Sequence, residues 1–210
     1  ITMMKIMRQN FFRILLTILV FLIFSNFALG KNIFKEKESD IILGNKDAPV
    51  TIIEYASLSC SHCASFHKNT LPILIEEYVD QGKVKLIFRS FPLNYPALLG
   101  SQVIQCIPKE IQYDYLDALF LLQKQWVNKE NAKTTQEIYK IMQSGGMNKE
   151  NFENCISNTE LENSILEGAI EAQNEFEIST TPSFLINEKL LVGNKSIKEF
   201  RQIIDKILSE

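Results

Sequence analysis

Two cysteines separated by two residues, Cys60-Ser61-His62-Cys63, restrict most strongly how this chain can fold. They follow residues 49–55, a β-branched and aromatic run that predicts a buried strand. From Cys63 onward apolar residues recur at helical spacing, which places the pair where a strand passes into a helix. Unpaired N–H groups and the positive dipole end at such a helix start favour a thiolate at Cys60. His62 adds a cationic or hydrogen-bonding group that we expect to stabilise this thiolate.

The spacing alone leaves two other interpretations of the pair open. Cys60, Cys63 and His67 have the spacing of zinc ligands, but a closed site would need a fourth ligand from elsewhere. A purely structural disulfide is the other, although a bridge across so few residues constrains little chain. We favour a redox-active dithiol, and we expect no metal and no other cofactor. His67 is interpreted as a residue of the helix surface.

The first 30 residues have the pattern of an export signal. Lys5, Arg8 and Arg13 precede the apolar run 14–24, and small residues follow before residue 31. An uncleaved membrane anchor is the alternative, although the apolar run is short for a membrane span. Removing residues 1–30 lowers the formal net charge from −3 to −6, because three cations and no acids are lost. That balance argues against nucleic acid as a partner.

The remaining chain is predicted to order its elements as β, α, β, a helical block, β, β, α. The first helix, from Cys63 to Tyr78, should kink at Pro72. Between residues 95 and 177 the amphipathic patterns are helical and no strand is indicated. The predicted parts are a signal segment 1–30, a flexible lead-in 31–47, a first β/α half 48–94, a helical insertion 95–177 and a second half 178–210.

These features together resemble the DsbA-like branch of the thioredoxin superfamily, from about Val50 to the C-terminus. Beyond the cysteine pair, the resemblance rests on four further features: Glu54 six residues before Cys60, the segment 88–93, the segment 117–120 and Thr181-Pro182-Ser183-Phe184. It implies an α/β thioredoxin-like fold that carries an inserted all-helical subdomain. Ser61 departs from the proline of several relatives, which leaves the redox potential open.

The resemblance also implies roles for individual residues. Cys60 would be the nucleophile and Cys63 the resolving cysteine. Glu54 would be a buried acid that exchanges a proton with Cys63, and Lys83 or Lys85 on the next strand could pair with it. Thr181 and Pro182 would form a cis-proline loop whose backbone binds an extended substrate.

The other two cysteines, Cys106 and Cys155, lie on different predicted helices of the insertion. In an exported protein they would form a structural disulfide, as similar proteins do, worth about 4 kcal/mol on the chain-entropy model. A regulatory pair that exchanges with Cys60 is the alternative.

The predicted function is oxidation of dithiols in exported proteins through Cys60–Cys63, in the periplasm. The expected partners are folding proteins with free cysteines and, by resemblance, a quinone-linked membrane oxidase for reoxidation; a monomer is expected. A reductase or isomerase of the same fold remains open, as does a non-catalytic, zinc-stabilised binding domain.

Overall fold

A computed structural model describes residues 35–187 and 189–210, so the predicted signal segment lies outside the described residues. Residues 36–210 form one compact unit. Its strands are β1 (Ile41–Leu43), β2 (Val50–Ala56), β3 (Val84–Ser90), β4 (Ser183–Ile186) and β5 (Lys189–Val192). Its helices are α1 (Ser61–Asn69), α2 (Leu71–Leu74), α3 (Tyr95–Gln105), α4 (Gln112–Leu121), α5 (Gln123–Trp126), α6 (Asn131–Ser144), α7 (Lys149–Ile156), α8 (Thr159–Phe176) and α9 (Ile197–Ser209), with a π-helical turn at Ile75–Val79 and a 3-10 turn at Lys109–Ile111.

The five strands form one mixed sheet in the order β1-β3-β2-β4-β5. β2 and β3 are parallel, and α1, α2 and the π-helical turn make the crossover between them. The other three pairings are antiparallel. Helices α3 to α8 are inserted between β3 and β4, which confirms the predicted fold class. Among the described residues no helix combines the length and apolarity that a membrane crossing requires.

Apolar residues on the two sides of the sheet form separate core clusters. One cluster joins the sheet and α1 to the insertion, with Phe88, Leu99, Phe120 and Trp126 among its buried side chains. The other packs β2, β3 and β4 against α1, α2 and α9, through side chains such as Ile52, Phe66, Leu74, Phe184 and Phe200. Helix α1 contributes to both clusters and is thereby held against sheet and insertion.

Polar side chains cap several helices at the residues where regular structure begins. Asn94, Asn148 and Asn158 each accept a backbone N–H three residues further on. Ser196 and Glu199 form a capping box at the start of α9. The helix predicted from Cys63 to Tyr78 is interrupted rather than merely kinked. Because Pro72 has no N–H, the regular pattern ends at Thr70 and resumes as α2 and the π-helical turn.

The predicted flexible lead-in 31–47 is wrong in part. Ile41–Leu43 forms an edge strand paired antiparallel with β3. The Asp40 carboxylate, 3% exposed, accepts hydrogen bonds of 2.7 and 2.9 Å from the Arg89 guanidinium, which is itself buried. This ion pair fastens the segment before β1 to the end of β3. Three residues give too little periodicity for such a strand to be predicted, and the β3 residues that pair with it lie 43 to 47 positions away.

Candidate active site

The cysteine pair lies at the start of α1, on the loop that follows β2. Cys60 is the N-cap residue of the helix, and its Sγ accepts the backbone N–H of Cys63 at 3.4 Å. Both cysteines carry free thiols, but Cys60 is half-buried whereas Cys63 is 0% exposed. Only the Cys60 sulfur can therefore be reached from solvent.

The surroundings of the two thiols push their acidities in opposite directions. The hydrogen bond from the Cys63 thiol, with the backbone N–H groups of Cys63 and His62, lowers the pKa of Cys60 to about 5. Burial, the hydrogen bond to Cys60 and the nearby Glu54 carboxylate raise the pKa of Cys63 far above its ordinary value. At neutral pH the reduced site therefore holds a thiolate at Cys60 and a thiol at Cys63.

The loop before β4 faces the reactive sulfur. The Thr181–Pro182 peptide bond is cis, and Pro182 immediately precedes the strand β4. In its thiol form Cys60 donates a hydrogen bond to the Thr181 carbonyl at 3.4 Å. The Thr181 backbone is therefore within reach of a chain segment bonded to Cys60, which is the position that the sequence interpretation required of it.

Helix α5 of the insertion holds the loop from the other side. The Nε2 atom of Gln123 donates to the Leu58 carbonyl at 2.8 Å and to the Cys60 carbonyl at 3.0 Å. Gln123 is buried, so these hydrogen bonds are shielded from water. No sequence pattern points to this residue, because it lies 63 positions from Cys60 on an amphipathic stretch without a motif.

His62 and His67 have places that the sequence interpretation did not foresee in full. The His62 side chain is exposed, and the contribution of this residue to the pKa of Cys60 comes through its backbone N–H. An additional role for its imidazole stays a prediction. The interpretation of His67 as a surface residue is wrong, since the residue as a whole is 2% exposed.

Glu54 lies in the middle of the sheet and is 0% exposed. The Nε2 atom of His67 lies 3.2 and 3.1 Å from its two carboxylate oxygens. The lysines expected to pair with Glu54 lie elsewhere: Lys85 binds Glu36 at 2.9 Å, and Lys83 lies over the Tyr78 ring. A histidine therefore takes the place expected for a lysine. Spacing could have revealed it, because Cys63, Phe66 and His67 share the buried face of α1.

The remaining cysteines lie apart from this site. Cys106, at the end of α3, and Cys155, on α7, are joined by a disulfide bond that ties two helices of the insertion together. Within the described part of the chain no group of three or more His, Cys, Asp or Glu side chains is arranged to hold a metal ion.

A dithiol at a strand-to-helix junction, facing a cis-proline loop and carried on a mixed sheet with a helical insertion, defines the class of thioredoxin-fold dithiol proteins. A family model described as "Thioredoxin" matches residues 36–206. The chain belongs to the thioredoxin family, in its DsbA-like branch. This confirms the resemblance noted in the sequence.

Three relatives illustrate the relationship. The crystal structure of alpha-DsbA1 from Wolbachia pipientis is similar with a TM-score of 0.78 and 30% identity, over 84% of this chain and 94% of that one. A Rickettsia conorii protein named "Putative protein-disulfide oxidoreductase" is 28% identical over 84% of this chain, which spans 63% of that relative's length. Disulfide bond formation protein D of Bacillus subtilis is 24% identical, over 80% of this chain and 76% of that protein.

Proposed function

We propose that this protein is an exported thiol-disulfide oxidoreductase that introduces disulfide bonds into other exported proteins through Cys60 and Cys63. The observation that carries the proposal is the pairing of an accessible, acidic thiol with a buried, weakly acidic one. With the pKa of Cys60 at about 5, thiolate outnumbers thiol by about 100 to 1 at pH 7. Such stabilisation of the reduced form makes the disulfide form a stronger oxidant.

In the proposed reaction, a substrate thiolate attacks the Cys60 sulfur of the Cys60–Cys63 disulfide. A bond forms between the substrate sulfur and Cys60 Sγ, and Cys63 leaves with the electron pair and takes up a proton. A second substrate thiolate then attacks the substrate sulfur, and Cys60 leaves as the stable thiolate. The substrate has lost two electrons and the two protein cysteines have gained them.

The other predicted roles belong to this proposal. The Thr181 and Pro182 backbone binds an extended substrate segment beside Cys60, and the exposed imidazole of His62 adds to the stabilisation of the thiolate. Glu54 exchanges the proton of Cys63. The substrates are exported proteins with free cysteines, and a quinone-linked membrane oxidase reoxidises the reduced protein in the periplasm. These partners and the export signal at residues 1–30 are supported by the family relationship and by the sequence pattern.

The test is oxidation of a reduced dithiol peptide by the oxidised protein, followed as loss of free thiols. We expect the wild type to oxidise one peptide dithiol per molecule, and we expect Cys60→Ser to abolish the reaction. A Cys106→Ser/Cys155→Ser variant is the matched control, because it also removes a disulfide but not the accessible sulfur. Full activity of Cys60→Ser, or complete loss of activity in the folded control, would contradict the proposal.

Equilibration of the Cys60–Cys63 pair with glutathione separates an oxidase from a reductase or isomerase of the same fold. We expect a reduction potential well above the thioredoxin value of about −270 mV, because the Cys60 thiolate is strongly stabilised. A potential at or below that of thioredoxin would assign the protein to the reductases instead.

A further inference from the structure

The contact between His67 and Glu54 is a fully buried acid–base pair behind the cysteines. Both side chains are 1% exposed, and His67 Nε2 lies within 3.2 Å of both carboxylate oxygens. Placing a carboxylate at such a position is costly unless a donor compensates for lost water. The imidazole supplies that donor.

The rest of the imidazole is surrounded by apolar rings. It stacks on Phe120 with 3.9 Å between ring centroids, and the edges of Phe66 and Phe88 complete the enclosure. Its Nδ1 atom is buried and has no hydrogen-bond partner among the described residues. Glu54 is therefore the only polar partner that the described residues give this side chain. An apolar residue would fill this space at lower cost, so the ring nitrogens call for a chemical explanation.

The pair lies beside the thiol that must gain and lose a proton. His67 is one helical turn after Cys63 on α1, and the charge of Glu54 contributes to the raised pKa of Cys63. Because Cys63 is 0% exposed, its proton cannot pass directly to bulk water. A buried acceptor is required within the protein.

We infer that His67 donates its Nε2–H to the Glu54 carboxylate and so holds Glu54 in the ionised, oriented form that accepts the proton of Cys63. The inference rests on the proposed function and extends it to a residue that the sequence interpretation had placed on the surface. His67 is a positioning residue in this scheme, since it touches Glu54 and not the reacting sulfurs.

When the reduced protein is reoxidised, a mixed disulfide first forms between Cys60 and the oxidant. The Cys63 S–H bond then breaks, its proton passes to the Glu54 carboxylate, and the thiolate attacks Cys60 Sγ while the oxidant sulfur leaves with the electron pair. His67 Nε2 already carries its own proton and donates a hydrogen bond to Glu54 before and after this transfer, so the transferred proton stays on the Glu54 carboxyl group. In the opposite direction Glu54 returns the proton to the departing Cys63 thiolate.

Other titratable groups near the pair come from α4. Asp117 is close enough to His67 for their charges to interact. Burial is the main cause of the raised pKa of Asp117, and the His67 charge opposes that rise. The pKa of Tyr113 is raised mainly by burial, with the charges of Asp117 and Glu54 adding to the effect. The strand neighbours of Glu54 in the sheet are Phe88 and Phe184, which carry no charge. Tyr113 thus offers a neighbour of Glu54 that can be altered without touching His67.

The experiment mixes reduced protein with oxidised glutathione, quenches with acid and separates the species by mass. Formation of the Cys60–glutathione mixed disulfide reports the first step, and its conversion to the Cys60–Cys63 disulfide reports the proton-coupled step. In His67→Phe we expect the second step to slow by at least about tenfold at pH 7, because Glu54 loses the donor that keeps it available as a general base. In this variant the second step should also depend more steeply on pH, because the buried Glu54 must then ionise without a hydrogen-bond donor.

Two comparisons separate this role from a structural one. Gln at position 67 can still donate a hydrogen bond to Glu54, so His67→Gln should recover most of the wild-type rate, and a loss equal to that of His67→Phe would overturn the inference. A Glu54→Gln/His67→Phe double variant should be no slower than Glu54→Gln alone, because His67 acts through Glu54. Fully additive losses would contradict it.

Tyr113→Phe is the matched control, because it alters a neighbour of Glu54 and keeps His67; an equal loss there would assign the effect to packing. Should His67→Phe fail to fold, His67→Leu takes its place, because it also lacks a donor for Glu54. If the first step fails in the wild type, the proposed function is wrong. If only the second step is indifferent to His67, the present inference alone is wrong.

Discussion

Cys60 and Cys63 lie within one helical turn, yet only Cys60 is a thiolate at neutral pH. Because the unfolded chain gives Cys60 an ordinary thiol pKa, its ionisation is linked to folding. The folded pKa is the lower one, so the stabilisation is fully present above the unfolded pKa of about 8.5 and is lost as the pH falls through about 5. Cys63 is a thiol in both states below pH 8 and contributes no slope there.

We therefore predict that the reduced wild type gains unfolding free energy relative to reduced Cys60→Ser as the pH rises from about 5 to about 8. Urea unfolding of both proteins under reducing conditions, at several pH values, measures this difference. A difference that stays constant, or that shrinks with rising pH, would contradict the assigned thiolate.

At the residue scale, spacing and periodicity placed the cysteine pair at a strand-to-helix junction and favoured a reactive dithiol over a zinc site or a structural disulfide. The sequence reached Glu54 and the Thr181–Pro182 loop only through family resemblance, since a strand glutamate and a proline have ordinary explanations elsewhere. His67 was misplaced because a histidine near a cysteine pair was compared with metal ligands and surface residues. The helical face shared with Phe66 would have placed it correctly.

At the scale of elements, β1 depends on a turn that only glycine can make well. Gly44 has φ +89°, and a Cβ built on it would lie 2.6 Å from the Val84 carbonyl oxygen and 2.8 Å from Val79 Cγ1. Gly82 has φ +69°, but a Cβ there meets nothing within 4 Å among the described residues. A side chain at either position is strained by the positive φ. Only at Gly44 would its Cβ also overlap with neighbouring atoms.

We predict that Gly82→Ala lowers the unfolding free energy by about 1 kcal/mol, and that Gly44→Ala lowers it by about 3 kcal/mol, because strain and steric overlap add. Urea unfolding of the two variants measures both values. Equal losses would show that β1 and its turn can move away from β3 at little cost.

The helices were predicted more accurately than their interruptions. The amphipathic patterns at 149–156 and 196–208 and the strand pattern at 183–186 predict α7, α9 and β4 to within one residue. The amphipathic pattern at 114–126 predicts one helix, but α4 and α5 divide it, and the helix predicted before β3 is divided at Thr70. Apolar periodicity does not record where a few backbone hydrogen bonds change partner. Those changes depend on the tertiary packing of both flanks.

At the scale of the whole molecule, the insertion is attached to the reactive loop by Gln123. Replacing Gln123 with Met keeps the length of the side chain. The Leu58 carbonyl and the Cys60 carbonyl then each lose the hydrogen bond that Gln123 donates. We predict a loss of about 2 kcal/mol in unfolding free energy, together with faster hydrogen exchange of the loop amides around Cys60.

Gln143→Met is the control for this variant, because Gln143 is an exposed residue of α6 whose side chain donates a hydrogen bond to the Tyr139 hydroxyl. It should leave both stability and loop exchange near the wild-type values. If Gln123→Met behaves in the same way, the insertion does not hold the loop.

The sequence predicted the order of the elements along the chain, apart from β1, and the place of the insertion, because these follow from periodicity and chain length. It could not predict which insertion residue reaches the loop. That contact joins two segments with no common pattern, and it exists only after both have packed on the same sheet.

In the proposed reaction, having a single reachable sulfur also sets how long a client protein stays attached to Cys60. A client chain bonded to Cys60 can depart by forming its own second disulfide bond, or it can be expelled when Cys63 attacks from behind. Because Cys63 is buried and holds its proton tightly, expulsion waits for a proton transfer, and the attached chain has that interval to bring its own second cysteine into place. In the proposed reaction, the burial of the Cys63 sulfur thus sets the time that another protein has to form its own disulfide bond.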